Sequence, residues 1–346
     1  MKRSAVAGLT ALALALGGAA LAPRGAPSAA PAAPSGGASP AFGGTVFAPG
    51  AVSTAMDEIG ATFTPDGNTV YFARRSPTTS SPPVQAIFVS RRNGSRWSPP
   101  VIVPFSGRWS DFAPSVSRDG SRLFFSSLRP RAGASAARED ADIWFVERDA
   151  AGAWGEPRNP GAPVNTDRND SNACAAADGT LYFASDRESS LGIDLWRAAW
   201  TGSGWAAPEN LGEGVNTPAY ESQPAVAADQ SFVVFTSVGR PDIALTGGSP
   251  YARGDLYVSL RRGSAFEPAR NLGPIVNTPA TESNPSLSPD GRTLYFTSER
   301  GIARIPMAGG LTREGFENAM RGIENGRGNI YEISLEKLGL AAGRAR

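Results

Sequence analysis

The sequence predicts an all-β fold: a five-bladed β-propeller of four-stranded antiparallel blades, closed by its own N-terminal strand. Three observations predict it. One short-strand unit occurs five times, its copies start 53, 59, 51 and 61 residues apart, and the last copy lacks a strand that the N-terminus can supply. Repeats are read first because a unit that cannot bury its own faces must stack on its neighbours, which dictates the whole architecture.

Each copy opens with a strand, a turn and a second strand. The five are "EIGATFTPDGNTVYFA" (58–73), "DFAPSVSRDGSRLFFSS" (111–127), "DSNACAAADGTLYFASDR" (170–187), "ESQPAVAADQSFVVFTS" (221–237) and "ESNPSLSPDGRTLYFTSER" (282–300). A third strand follows in each: "AIFVSRR", "DIWFVER", "DLWRAAW", "DLYVSLR" and "NIYEISL". Four copies add an outer strand, "RWSPPVIV", "AWGEPRNPG", "GWAAPENLG" and "AFEPARNLG". Short aromatic and β-branched runs broken by Gly/Asp turns make one up-and-down sheet, and radial closure leaves it only short edges. The fifth copy has no outer strand, but residues 41–54, "AFGGTVFAPGAVST", align without a gap to 265–278, "AFEPARNLGPIVNT". The N-terminal segment is therefore expected to complete blade five.

The turns explain the repeated Asp-Gly pairs. In Asp66-Gly67, Asp119-Gly120, Asp178-Gly179 and Asp290-Gly291 the carboxylate can accept a backbone N–H two residues on, and Gly supplies a positive φ. Gln230 replaces Gly in the fourth copy, which predicts another turn or strain there. Aromatic pairs such as Tyr71-Phe72 and Phe124-Phe125 are expected between blades, with Trp97, Trp154, Trp205 and Phe266 marking outer strands beneath a hairpin.

An acid stands at the start of every inner strand: Glu58, Asp111, Asp170, Glu221 and Glu282. Inner strands line a propeller's channel, so five carboxylates can surround one mouth. Two readings stay open. Each acid holds backbone N–H groups or the neighbouring blade, through the Ser/Thr of "VNT" for example, or the ring binds a cation or a basic segment.

The unit "E-x-N-P-x-x-S-P-D-G-x-x-L-Y-F-T-S-x-R" followed by "D-[IL]-[YW]" resembles the WD40-like (PD40) repeat of TolB-type propellers among exported bacterial proteins. The resemblance spans nearly all of 41–340, is strongest at 282–300 and weakest at 221–237, where "AADQS" replaces "SPDGR". Arg187 and Arg300 match the family's terminal Arg, whereas the first copy has Arg74-Arg75 and the fourth a displaced Gly239-Arg240. It implies a rigid scaffold whose loops or channel bind an envelope protein or peptide. Neither a TolB-type α/β domain nor an OmpA-like domain is read in the sequence, so a stand-alone, monomeric propeller is expected.

The composition removes several chemistries. There is no histidine and one cysteine, Cys174, so a Ser-His-Asp peptidase, histidine-held metals and an internal disulfide are excluded. Cys174 takes the place of Ser286 in an inner strand and reads as a small filler. The sequence reading thus expects a non-enzymatic scaffold with no catalytic residue. The alternative is a glycoside hydrolase using two of the ring acids in unlike environments.

Specific function is sought where the repetition breaks. Insertions follow the second strand in blade two (128–141), blade four (238–254) and blade five (301–328), and so emerge on one face. Arg131, Tyr251, Arg313, Arg321 and Arg327 are their candidate contacts. "TREGFENAMRGIENG" predicts a short helix with Phe316 and Met320 on one side, a cap or a docking loop. "REDADI" and "NTDRNDSN" offer hard oxygen ligands for a structural calcium, without the spacing of a calcium loop; no other cofactor or metal is expected.

The ends read as processing and tail. Residues 1–22 have the layout of a signal peptide, Lys2 and Arg3 before an apolar run, and 23–40 form a Pro/Ala-rich linker. The propeller is expected over 41–340, with a disordered tail at 341–346. Residues 1–40 carry three bases and no acid, so the remainder holds two more acids than bases. No basic field is left for a nucleic acid or an anionic membrane. A periplasmic or extracellular protein without stable membrane insertion is expected.

Overall fold

A computed structural model of the protein describes residues 42–76, 84–187, 192–243, 253–301 and 312–340. The leader, the linker, Tyr251 and the tail after 340 lie outside the described residues.

The chain forms five antiparallel sheets in a ring. Inner strands run at Asp57–Phe63, Asp111–Val116, Asp170–Ala175, Tyr220–Val226 and Glu282–Leu287. Each contacts the next, and the fifth returns to the first. Second strands follow at Thr69–Arg75, Arg122–Ser127, Leu181–Ser185, Phe232–Val238 and Thr293–Ser298, and third strands at Gln85–Asn93, Asp142–Glu147, Asp194–Ala198, Asp255–Arg262 and Asn329–Ser334. Outer strands are pieces of two residues. Blade two has only isolated bridges there, Phe145 to Arg158 and Arg148 to Trp154, instead of the expected strand. Pro157 and Pro160 flank Arg158 and cannot donate to a ladder.

The core lies between the blades. Five apolar layers each mix two neighbours: Tyr71, Ile87 and Val89 of blade one meet Leu123, Phe125 and Val146 of blade two, while Phe72 and Val70 face the opposite way, toward Ile330 of blade five. Strand alternation sends successive side chains to opposite faces, so one aromatic pair per second strand serves both layers.

The N-terminal segment closes the ring as expected, in a register shifted by one. Thr45–Val46 pairs with Glu332 and Tyr331 of blade five. Asn271 stands opposite Tyr257 in blade four, the place that Val46 takes opposite Tyr331. The ungapped alignment set Val46 against Arg270. One extra residue is absorbed in the turn before Val52, where Ala48 and Gly50 adopt φ of 43° and 80°. Beyond it Ser53 regains the pattern: its hydroxyl donates to Ile330 O and accepts Ile330 N–H at 3.1 Å, as Asn277 does with Leu256.

The Asp-Gly hairpins are built as expected, and the Gln230 hairpin keeps the same turn. Gln230 adopts φ 60°, beside 66–82° at Gly67, Gly120, Gly179 and Gly291. A left-handed non-glycine residue is strained, and its side chain offsets that strain. It accepts from Tyr182 OH at 2.7 Å and donates to Asp178 at 2.8 Å, joining two blades.

Candidate functional site

The five ring acids lie inside the blades. All are fully buried, and each meets an arginine from the end of its own second strand: Glu58 with Arg74, Asp111 with Arg129, Asp170 with Arg187, Glu221 with Arg240 and Glu282 with Arg300, at 2.8–3.4 Å. The other lone pairs are used as well. Thr54, Thr166, Thr217 and Thr278, supplied by the preceding outer segment, each donate a backbone N–H and a hydroxyl to the acid four residues on. In blades two to five a Ser hydroxyl from the second strand adds a bond of 2.5–3.0 Å. Each guanidinium also stacks on aromatic rings, as Arg187 does on Phe183 and Trp196 at 5.0 Å. Buried charges persist when paired and hydrogen-bonded in this way. Burial nevertheless raises the pKa of Glu58 and Glu282 above the ordinary glutamate value, against the pull of Thr and Arg.

The loop-face candidates are scattered. Arg131 clasps Asp142 with two bonds of 2.6 and 2.7 Å and reaches Asp167 at 3.3 Å, pinning its insertion to the blade. Arg313 and Arg321 flank Glu317 on a helix, Arg313–Arg321, capped by Thr312. Arg327 donates to Ala55 O at 3.3 Å. Among the described residues no three His, Cys, Asp or Glu side chains converge as a metal site, and Asp142 and Asp170 of the calcium candidates are held by Arg131 and Arg187.

A different set of residues lines the central channel. Every inner strand carries a bulge whose extra residue has positive φ: Gly60 at 59°, Ala113 at 49°, Asn172 at 56°, Gln223 at 56° and Asn284 at 50°. A bulge re-aims a side chain, and these five ring a cavity of about 220 Å³ that runs on to the hairpins at Pro65, Ser117, Arg118, Ala228 and Pro289. Blades five and one adjoin at this level, since a Cβ added to Gly60 would make ordinary van der Waals contact with Asn284 Cβ at 3.5 Å. Gln223 Oε1 accepts Thr236 Oγ1 at 2.7 Å and Asn284 N–H at 2.9 Å, which turns its NH2 group away from both. Asn172 and Asn284 use their NH2 groups on Ser171 and Ser283, leaving both amide oxygens as acceptors. Cys174 stands on this wall, partly packed into the core, and burial pushes its thiol up to about 11.

Sequence reasoning missed these bulge residues. A signal was present: proline follows the extra residue in Ala113-Pro114, Gln223-Pro224 and Asn284-Pro285, and proline within an inner strand marks broken pairing.

No protein-family model matches the chain, and no curated protein matches it. Solved structures do. TolB from Agrobacterium tumefaciens is 16% identical over 68% of this chain and 87% of its own, with a TM-score of 0.38. An α-L-arabinofuranosidase from Lactobacillus brevis is 14% identical over 82% and 92%, at 0.48. An inulosucrase from Halalkalicoccus jeotgali, bound to kestose, is 12% identical over 86% and 90%, at 0.49. These findings correct the expectation of a non-enzymatic scaffold for an envelope protein or peptide, which rested on likeness to TolB. Enzymes stand among the matched structures and cover more of this chain than TolB does. At such identities the likeness concerns the fold, and activity has to be argued from the site.

Among the described residues no helix is long and apolar enough to cross a membrane.

Proposed function

We propose that the central channel is a carbohydrate site and that the protein acts on a glycan there. The observation that carries this reading is the chemistry of the wall. Amide acceptors on Asn172 and Asn284, the amide donor of Gln223 and the hydroxyl of Ser115 surround one cavity. Neutral donors and acceptors of both kinds complement sugar hydroxyls, which also donate and accept.

Glycosidic cleavage by carboxyl groups needs two of them. Among the described residues none lines the cavity, and Glu58 and Glu282 are buried within their blades on threonine and arginine partners, so the channel wall supplies binding groups and no carboxyl pair. A panel of plant and bacterial glycosides is expected to show turnover with the purified propeller. Asn172→Ala and Gln223→Ala should raise KM about tenfold or more for loss of a hydrogen bond. Melting curves run alongside separate a loss of binding from a loss of folding. Absence of both turnover and binding across the panel would overturn the reading.

We also take the repeat as a diverged WD40-like unit and the protein as exported, with residues 1–22 removed. N-terminal sequencing of protein from the periplasmic or extracellular fraction should begin near residue 23 or within the linker that follows. An intact Met1 in a washed membrane pellet would contradict export through a cleaved leader.

A further inference from the structure

One charged group stands in the channel without a counter-charge. Arg118 precedes the Asp119-Gly120 turn of blade two, where the other blades place Pro65, Ala177, Ala228 and Pro289. Its side chain crosses to blade four and donates from Nη2 to Val226 O at 2.9 Å. Among the described residues it is the one charged side chain on the cavity wall, and no carboxylate pairs with it. Cys174 lies within electrostatic reach of it, and Ser117 and the amide ring line the same cavity.

This contrasts with the rest of the molecule. The five arginines at the ends of the second strands each meet a buried acid, whereas Arg118 has a carbonyl oxygen and open donors. A guanidinium offers five N–H groups in a planar fork that matches a carboxylate. Burial draws the pKa of Arg118 below the ordinary arginine value, as expected of a cation desolvated without a partner. A bound carboxylate would supply the missing countercharge.

We propose that the channel binds a hydroxylated carboxylate, a uronate-type acidic sugar, with Arg118 holding the carboxylate and Asn172, Gln223 and Asn284 holding the hydroxyls. The sugar half of this inference rests on the carbohydrate reading above. The anion half stands on Arg118 alone.

Cys174, the single cysteine of the chain, gives a reporter on the same wall. Alkylation is followed with iodoacetate, an anion, and iodoacetamide, its neutral analogue; in both the thiolate sulfur displaces iodide. The iodoacetate-to-iodoacetamide rate ratio, divided by that of a free thiol, is expected to reach about tenfold or more for one desolvated charge pair. In Arg118→Met it should fall to about one, and Arg118→Lys should keep part of it. A normalised ratio of one or less in the wild-type protein, or one unaffected by Arg118→Met, would overturn the anion site. Protection of Cys174 from iodoacetamide is then compared for galacturonate, galactose and acetate. Stronger protection by galacturonate than by the other two supports the full proposal. Protection by galacturonate and acetate alike, with none by galactose, keeps the anion site and overturns the sugar half. Equal protection by galactose and galacturonate keeps the carbohydrate site and overturns the role of Arg118.

Discussion

A protein lacking residues 42–54 is expected to melt about 10 °C below the full chain, a loss of roughly 5 kcal/mol or more. The deletion strips the outer strand from blade five and opens the ring. Phe47 and Val52, at 6% and 0% exposure, leave the layer between blades five and one, and burial of two such side chains contributes about 3–6 kcal/mol. Ser53 takes with it both bonds to Ile330, and Thr54 takes two of the donors that hold Glu58. A buried carboxylate stripped of donors adds a penalty of its own. Removal of residues 1–40 alone should leave the melt unchanged. Equal melting temperatures for the 42–54 deletion and the full chain would show that the ring does not depend on its closing strand.

Much of this architecture was legible because the repeat is regular. Five copies with turn residues at fixed offsets leave few alternatives, and the orphan outer strand at the N-terminus named its own partner. The register of that strand was not legible. The residue that shifts it sits in a turn where Ala48 and Gly50 both take positive φ, and an ungapped alignment carries no dihedral angles. The Gln230 turn eluded the sequence for a related reason. Its support comes from Tyr182 and Asp178 of the neighbouring blade, contacts that exist only once the ring has closed.

The site was less legible than the fold. The ring acids stood out because they repeat, yet repetition marked their service to each blade. Their arginine partners lie 16–19 residues further on, and only the hairpin brings the two ends together. The channel residues differ from blade to blade, Gly, Ala, Asn, Gln and Asn at one bulge position, so no recurrence marks them in the sequence. In a repeat protein the scaffold is written in what is common and the specificity in what varies.

The acid–arginine pairs yield the second large effect. Arg300→Ala is expected to cost about 3 kcal/mol at pH 7, because it leaves Glu282 buried without its countercharge. Glu282 is wholly buried and Arg300 has 13% of its side chain exposed, so solvent can replace little of the lost interaction. The guanidinium also lies over Phe42 and Tyr331, at 3.2 and 4.3 Å, and its removal loosens the closing segment as well. Burial already raises the pKa of Glu282 from 4.5 despite its hydrogen bonds and the nearby arginine, and loss of Arg300 raises it further. A carboxyl whose folded pKa lies above its unfolded value stabilises most when protonated, and that contribution is lost as pH rises through the folded pKa. The deficit of Arg300→Ala should therefore be full at pH 7 and shrink as pH falls toward 4.5. The double variant Glu282→Gln/Arg300→Met removes both charges and keeps most of the volume, so it should regain more than half of the loss at pH 7 and show little pH dependence over that range. Urea unfolding of the three proteins at pH 7 and pH 5 measures this directly. A deficit that stays constant with pH, together with a double variant no more stable than Arg300→Ala, would assign the effect to lost aromatic stacking and leave the buried charge with no part in it.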